Sequence, residues 1–503
     1  MAMGPCTAAI ADGLDRYLET ASLAADLRTG DLLADDVLAE LVALRLSLDE
    51  PIRIAVTGRV NAGKSTIVNA LLNQRIAATD VSECTRHVTW FRAGVPERVD
   101  VVHRSGKRTA LRLREDGRLP TTIGVDAEEV DHLEVFLSND ALEAMTLIDT
   151  PGIASLNDAA SAATLEMLAL DRSSRAAAAK ADVLVFVLSG DVQRDDSAFL
   201  DSFHRLFNGL AATPVSTVAV LNKVDQLDED ALDPVAAVAG RCLSLGRSLQ
   251  TLVATVVPLV GLLAETAEAG ALTQSDLEHL RVAASQDPAA VERALLSTDR
   301  FVRSSVIAAD PAARERLLEL LDLSGARLVL DLLRGEALGL AEAVERIGDR
   351  SGIAALRALL RGEFVAHADS LKAAAALAGI ERLGYRSKGS GRAQLLDIAE
   401  RFQMDPTLHR LRELQARQHL AAGEVLFGAD ELEAARRLFA AADPRERLGL
   451  AGEVPMEVII AEARAGAARW KQRANNARST PIERRLADTA VRSLELLWEE
   501  LRT

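Results

Sequence analysis

The apolar positions of this chain follow one kind of spacing before residue 265 and another after it. From residue 52, short runs rich in Val and Ile alternate with longer stretches in which apolar residues recur at helical spacing. Strands that alternate with helices predict a mostly parallel sheet with helices on both faces. After residue 265 the strand pattern stops, and amphipathic helices preceded by Asp, Ser or Thr continue to the end of the sequence.

This pattern predicts an α/β domain joined to an all-α region, divided into three parts. Residues 1–50 form amphipathic helices that Pro51 ends, and their apolar stripe is expected to pack against the C-terminal helices. Residues 51–265 form the α/β domain, in which 88–138 contributes antiparallel strands joined by a basic turn. Residues 266–503 form a long helical bundle.

Composition narrows the classes of function. The 503 residues carry a formal net charge of −16, which disfavours a nucleic-acid partner. The cysteines are Cys6, Cys84 and Cys242, too few and too scattered for a disulfide framework, so we expect a reducing cytoplasm. No window offers roughly 18 uncharged apolar residues, so we expect a protein that is soluble or peripheral at a membrane.

The run GRVNAGKST, residues 58–66, lies between the first predicted strand and the helix that follows it. This spacing is typical of a phosphate-binding loop, whose glycines let backbone N–H groups approach the phosphates. We expect Lys64 to contact the β- and γ-phosphates and the Ser65 hydroxyl to bind Mg²⁺. The positions expected to contact nucleotide in this loop are Gly58, Asn61, Ala62, Gly63, Lys64, Ser65 and Thr66.

Two further motifs follow apolar strands and indicate which nucleotide is bound. In Asp149-Thr150-Pro151-Gly152, Asp149 is expected to hold Mg²⁺ through a water, and the Gly152 N–H to contact the γ-phosphate. In Asn222-Lys223-Val224-Asp225, the Asp225 carboxylate can accept hydrogen bonds from guanine N1–H and the 2-amino group, both of which adenine lacks. Lys223 can cover the base and Asn222 can brace the phosphate loop. Together the three motifs predict a site for GTP and GDP.

Two parts of the site are less well specified. The stretch TDVSECTRHVTW lies where a switch loop is expected, and Thr85 is our preferred Mg²⁺ ligand in the GTP state, with Thr79 and Thr89 as alternatives. The last strand leads into the loop that should reach guanine O6. G proteins usually have a small Ser or Ala where this chain has Val260, so we expect a backbone N–H to serve there.

The motifs GRVNAGKSTIVNALL, TDVSECTRHVTWFR, LIDTPG and LNKVD, followed by a helical half that contains STDRFVRSS and DRSGIAALRALL, resemble the bacterial dynamin-like GTPases. In particular, they resemble the isoniazid-inducible group of mycobacteria, especially the shorter member of that operon. The resemblance implies a GTPase domain on a helical stalk that binds a lipid membrane through its tip, at the inner face of the cell membrane. It also implies remodelling driven by nucleotide-dependent self-association, as a homodimer or with a related dynamin-like GTPase.

One departure from that family bears on hydrolysis. Many dynamins carry a water-positioning Gln where this chain has Val60, whose side chain cannot form a hydrogen bond. In some G proteins that dimerise during turnover, Asn at the next position binds K⁺, which acts as a charge clamp on the transferring phosphate. We therefore expect either that Asn61 holds K⁺ or that it only braces the loop. The catalytic set that we expect is Lys64, Thr85, Gly152 and Asn61.

Several alternatives stay open. The leucine-rich segment 325–344 is a candidate membrane tip, although leucines at this spacing also occur in protein cores. The cationic segment 382–392 is its rival, or a solvated linker. The chain is also compatible with a regulatory or scaffold subunit with weak turnover that acts with a related GTPase. A third alternative is a soluble GTPase of ribosome or tRNA maturation, which the acidic helical half disfavours.

Overall fold

The sheet of this protein is built from the strands that the sequence pattern predicts, with one addition. The computed structural model describes residues 3–26, 35–77, 87–114, 116–120, 122–126, 128–151, 181–189, 216–227, 231, 233–249, 252–307, 310–405, 408–421, 423, 425–441, 443–452 and 454–502. The strands within them are β1 Ile52–Gly58, β2 Thr89–Ala93, β3 Arg98–His103, β4 Arg108–Leu111, β5 Val130–Leu137, β6 Met145–Asp149, β7 Val183–Ser189, β8 Thr217–Asn222 and β9 Thr255–Leu259.

These strands form one sheet in the order β4-β3-β5-β2-β6-β1-β7-β8-β9. From β6 to β9 all neighbours are parallel. The strand β2 pairs antiparallel with β6 and parallel with β5, while β3 pairs antiparallel with both β4 and β5. The predicted fold class, a mostly parallel α/β sheet followed by a large all-α region, is therefore confirmed.

The helices within and before the α/β region are α1 Pro5–Asp26, α2 Asp35–Ser47, α3 Lys64–Leu72, α4 Asp140–Ala144, α5 Pro234–Ala237, α6 Ala239–Ser248 and α7 Gly261–Glu268. Those that follow are α8 Gln274–Ala284, α9 Pro288–Ala294, α10 Thr298–Arg303, α11 Pro311–Gly335, α12 Leu340–Ser351, α13 Ile353–Leu359, a π-helical turn Leu360–Val365, α14 Ala368–Arg386, α15 Gly389–Met404, α16 His409–Ala421, α17 Ala429–Ala440, α18 Pro444–Leu448, α19 Met456–Ala474 and α20 Pro481–Glu500. Side-chain caps set several starts; Thr273, for example, forms a capping box with Asp276 at α8.

Apolar cores lie on both faces of the sheet. Alternate residues of β7 point to opposite sides, so Val185 belongs to one core and Phe186 to the other. Helices from beyond residue 265 complete both cores: Leu320 of α11 belongs to the same core as Phe186, and Leu356 of α13 belongs to the core that contains Val185. The boundary that we expected at residue 265 is therefore not a break in packing, because helices α8 to α13 bury their apolar faces on the α/β domain.

The N-terminal helices pack on the middle of the helical region. Apolar residues of α1 and α2 share a core with α14 and α15, whereas α19 and α20 belong to a separate core with α16 and α17. The side chain of Asp369 accepts hydrogen bonds from the backbone N–H groups of Cys6 at 2.9 Å and Thr7 at 2.8 Å. The buried Lys372 Nζ donates to the carbonyl oxygen of Leu48 at 2.7 Å. These polar contacts fix α14 against the start of α1 and against the segment that leads into β1.

At most the second half of the expected membrane tip at 325–344 can face a membrane, because the first half is packed in a core. Helix α11 is interrupted at Asp322, where φ is 56° and ψ is −177°. Beyond this point Gly325 lies against Leu263 of α7, and the apolar side chains of 328–330 are buried in the core that covers the sheet. Residues 325–333 thus form a layer of the α/β core, whereas most residues from 334 to 342 are exposed. No helix among the described residues has both the length and the apolar character needed to cross a bilayer.

The rival cationic segment is mostly helical rather than a loop. Helices α14 and α15 are separated only by Ser387 and Lys388. Arg386 forms an ion pair with Glu40 of α2 at 2.7 Å, and Arg392 lies 5.6 Å from the centre of the exposed Tyr385 ring. The Arg386 charge therefore helps to hold α2 against α14.

Candidate guanine-nucleotide site

The phosphate loop lies where the buried strand β1 turns into α3. At two of its glycines a side chain would clash with neighbouring atoms. Gly58 has φ of 147°, and a Cβ there would lie 2.4 Å from the carbonyl oxygen of Val187. Gly63 has φ of 91°, and a Cβ there would lie 2.3 Å from Nδ2 of Asn222. Helix α3 starts at Lys64, so the N–H groups of its first turn point into the loop, as an anion site requires.

Val60 and Asn61 occupy the open side of this loop. Val60 is 51% exposed, and Asn61 is exposed with φ of 62°, a left-handed conformation that Asn tolerates better than most residues. The Asn61 side chain forms no hydrogen bond within the described residues. The side-chain carbonyl oxygen of Asn61 is therefore available to a ligand. No hydrogen bond among the described residues supports the alternative that Asn61 braces the loop. Ala62 is buried and Thr66 is half-buried.

The two groups expected to bind Mg²⁺ meet at the base of the loop. Ser65 Oγ donates a 2.7 Å hydrogen bond to Oδ2 of Asp149, which ends strand β6. Burial raises the pKa of Asp149 to about 6, although the Ser65 hydroxyl and the Lys64 charge oppose the shift. Oδ1 of Asp149 is buried and has no hydrogen-bond partner among the described residues. A hydroxyl beside a carboxylate oxygen that lacks a partner fits a hard divalent cation.

The ammonium group of Lys64 reaches back across the loop. Its Nζ donates a 3.0 Å hydrogen bond to the carbonyl oxygen of Arg59, and the side chain is buried. Burial lowers the pKa of Lys64, and the neighbouring Asp149 carboxylate opposes this shift. A buried cation at the start of α3 supplies strong attraction for phosphate oxygens.

Asn222 connects the phosphate loop to the loop that follows the last strand. Its Nδ2 donates to the carbonyl oxygen of Ala62 at 2.8 Å, and its Oδ1 accepts from the N–H of Gly261 at 2.8 Å. Both bonds are buried. One side chain at the end of β8 thus holds together the loops after β1 and β9, which fixes where phosphates and base can lie relative to each other.

Asp225 lies in a 3₁₀ turn, Val224–Gln226, directly after β8. Its side chain is 8% exposed, and Lys223 has a left-handed φ of 59°. Burial raises the pKa of Asp225 to about 6, and the charge of Asp322 adds to the shift. Hydrogen-bond donors from guanine would relieve this cost, because they stabilise the ionised form.

Val260, which we expected in the loop that reaches guanine O6, has its own N–H engaged elsewhere. That N–H donates a 2.8 Å hydrogen bond to the carbonyl oxygen of Ser351, and the side chain is 2% exposed within the core. Three other predicted residues, Thr85, its rival Thr79, and Gly152, lie outside the described residues. Thr89 is a buried residue of β2, paired with Asp149 across the antiparallel ladder.

The sequence reasoning missed a set of contacts behind the phosphate loop. Asn69 of α3 donates a buried 2.8 Å hydrogen bond to Glu265 of α7. Arg357 of α13 donates to the carbonyl oxygen of Ala70 at 2.6 Å and forms a 2.6 Å ion pair with Glu268. These partners are far apart in the chain and follow no motif. They attach the helix that starts at the phosphate loop to α7 at the end of the α/β domain and to α13 of the helical region.

Some known proteins match only part of this chain, and others match nearly its whole length. A family model described as 50S ribosome-binding GTPase matches residues 53–223. GTPase Der of Desulforudis audaxviator is 43% identical over 98 residues, 19% of this chain and 22% of Der. The isoniazid-induced protein IniC of Mycobacterium tuberculosis is 31% identical over 474 residues, 92% of this chain and 93% of IniC. The chain belongs to the IniC family of bacterial dynamin-like GTPases.

Membership of the IniC family and the match of the GTPase domain identify the chain as a GTP hydrolase that binds GTP and GDP. A solved structure of an oligomerised bacterial dynamin pair shares 14% identity and a TM-score of 0.33 over 96% of this chain and 90% of that chain. Unlike the GTPase-domain matches, the IniC match includes the helices that pack behind the phosphate loop.

Proposed function

We propose that this IniC-family GTPase couples GTP binding and hydrolysis to self-association and to binding and remodelling of a membrane, at the cytoplasmic face of the cell membrane. The observation that carries this proposal is the attachment of α3. The same helix supplies the phosphate loop and is held by Glu265 and Arg357. A change at the γ-phosphate therefore has a short mechanical route into the helical region.

Each residue of the nucleotide site has a separate role in binding GTP and Mg²⁺. Ser65 binds Mg²⁺ directly and Asp149 holds it through a water, and the metal offsets phosphate charge when it is bound. Asp225 accepts hydrogen bonds from guanine while Lys223 covers the base. Thr85 and Gly152 complete the γ-phosphate side of the site.

Asn61 follows Val60, which stands where many dynamins carry a water-positioning Gln. Val60 has no hydrogen-bonding group with which to position the attacking water. Asn61, exposed and without a hydrogen bond in the described residues, directs a free amide to the open side of the loop. We propose that its oxygen binds K⁺ and that the ion stabilises the transferring phosphate.

A second candidate function is a regulatory subunit with weak turnover that acts beside a related GTPase. The exposed Val60 and the occupied Val260 N–H favour it. Ribosome or tRNA maturation is less compatible, because the net charge of −16 disfavours RNA and only the GTPase domain matches a ribosome-binding model.

Co-sedimentation with anionic phospholipid vesicles tests the proposed function. The wild type is compared in GTP, in GDP and without nucleotide, next to Lys64→Ala. Lys107→Ala, an equal charge change at an exposed turn, is the control. We expect GTP to raise the bound fraction of wild type and of the control, but not of Lys64→Ala. Equal sedimentation of all three proteins in all nucleotide states would contradict the proposal.

A further inference from the structure

A basic cavity of about 760 Å³ lies between α16 and α20, in the C-terminal core. None of its lining residues belongs to the nucleotide site. Cationic and titratable side chains from both helices line it: His409, Arg412 and His419 from α16, and Arg485 and Arg492 from α20. Asp488 is the one carboxylate among its described lining residues. In a chain with a net charge of −16, such a concentration of positive charge is unexpected.

One wall of the cavity contains a buried imidazole with an unsatisfied nitrogen. His409 is 6% exposed, and its Nε2 lies 2.9 Å from Ser493 Oγ. That hydroxyl donates its proton to the carbonyl oxygen of Thr489 at 2.9 Å, so it must accept from Nε2–H. In the neutral ring Nδ1 is then an acceptor. This Nδ1 is buried and finds no donor within the described part of the chain.

Burial keeps the His409 ring neutral at physiological pH. Burial lowers its pKa to about 4, and Arg412, Arg492 and Arg447 contribute to the shift while Glu413 opposes it. The cavity therefore combines guanidinium donors with a buried imidazole nitrogen that can accept a hydrogen bond. A ligand that satisfies both needs several acceptor oxygens and one O–H of its own.

A phosphate monoester is the anion that has this combination. Its second proton titrates near pH 6, so a fraction of the ester keeps an O–H at neutral pH. Sulfate has the same tetrahedral shape and no proton to give. Arg485 is exposed at the cavity and has neither an ion pair nor a hydrogen bond from its guanidinium within the described residues, so its charge is available to a ligand.

We propose that the cavity between α16 and α20 is a second anion site that binds a phosphate monoester, with Arg412, Arg485 and Arg492 on its oxygens and His409 Nδ1 accepting its O–H. The ester is either a free phosphorylated metabolite or the headgroup of a lipid such as phosphatidic acid. The proposal does not depend on membrane remodelling by the GTPase domain.

Calorimetric titration with glycerol 3-phosphate tests the site in the full-length protein saturated with GDP and Mg²⁺, so that the phosphate loop is filled. The variants are Arg485→Gln and, as a matched control, Arg484→Gln, which removes the same charge from the adjacent exposed position outside the cavity lining. Loss of one charge-assisted hydrogen bond is expected to weaken binding about tenfold in Arg485→Gln. Wild type and Arg484→Gln should bind alike, and sulfate should compete poorly.

Vesicles of phosphatidylcholine with and without phosphatidic acid identify the source of the ester. Binding to the phosphatidic acid vesicles that glycerol 3-phosphate displaces, and that Arg485→Gln weakens, would assign the site to a lipid headgroup. Binding of the soluble ester alone would assign it to a metabolite. No binding of either probe, equal binding by all three proteins, or sulfate that competes as well as phosphate would overturn the proposal. GTP turnover of Arg485→Gln measured alongside shows whether the nucleotide site is intact.

Discussion

Replacing Asp225 by Asn removes a charge that folding buries, so it is expected to stabilise the nucleotide-free protein and to weaken GTP binding. The pKa of this carboxyl group rises from 3.8 to about 6 in the folded state. A shift of this size corresponds to roughly 2–3 kcal/mol against the ionised folded protein at neutral pH. Asn has no such cost, so the nucleotide-free variant should unfold a few degrees higher than wild type.

The sign of the pH dependence follows from the raised pKa. When the pKa of a carboxyl group is higher in the folded than in the unfolded state, the group stabilises the fold at pH values below its unfolded pKa. This stability is lost as the pH rises through the pKa of the folded state. The difference in melting temperature between Asp225→Asn and wild type should therefore be small below pH 3.8 and grow until about pH 6. Thermal unfolding of both proteins across this range measures it.

Guanine binding should change in the opposite direction. Each hydrogen bond to a charged group contributes about 1.5–3 kcal/mol, and Asp225 is expected to accept two, so GTP affinity should fall roughly a hundredfold or more. Xanthine has a carbonyl oxygen in place of the 2-amino group, so the Asn amide can donate to it, and the variant should prefer xanthosine triphosphate.

Fluorescent-nucleotide binding compares the two bases, with Asp322→Asn as a control that removes the neighbouring charge. Unchanged GTP affinity in Asp225→Asn would refute the assignment of Asp225 to guanine.

Three further predictions concern the phosphate loop. Asn222→Ala leaves the carbonyl oxygen of Ala62 and the N–H of Gly261 without partners, at about 1–3 kcal/mol each, so melting temperature and GDP affinity should both fall. Asn475→Ala, at an exposed position whose side chain forms no hydrogen bond within the described residues, should change neither. Mg²⁺-dependent GTP binding should weaken as pH falls through about 6, where Asp149 takes up a proton. Measuring GTP affinity against pH with and without Mg²⁺ tests this. Identical pH profiles of GTP affinity in the two conditions would count against it. Hydrolysis should be faster in K⁺ than in Na⁺, and Asn61→Ala should abolish the difference; equal rates in both salts would dispose of the K⁺ site.

The central strands could be predicted because burial on both faces turns them into continuous apolar runs. In β8 all residues from Thr217 to Asn222 are buried. The edge strand β4 escaped prediction because Arg108–Leu111 is exposed or half-exposed throughout and resembles a basic turn. Helix α11 shows the opposite failure: its leucines fit a membrane surface and a protein core equally well, and only the packing against Leu263 distinguishes them.

Some positions of the candidate site could likewise be predicted from local sequence, and others could not. Local motifs predicted where Lys64, Ser65, Asp149 and Asn222 lie, because each motif follows a strand and the ends of parallel strands meet at one edge of a sheet. The use of the Val260 N–H by Ser351 could not be predicted, because the two segments meet only in the folded chain. The attachment of α3 through Arg357, on which the proposed coupling depends, is hidden for the same reason.

The most direct test of the proposed coupling is the GTP hydrolysis rate per molecule, measured against protein concentration with and without anionic vesicles. The proposed function predicts that the rate of wild type rises with both variables, that Lys64→Ala stays inactive, and that Lys107→Ala follows wild type. A wild-type rate that is independent of both protein concentration and vesicles would contradict it.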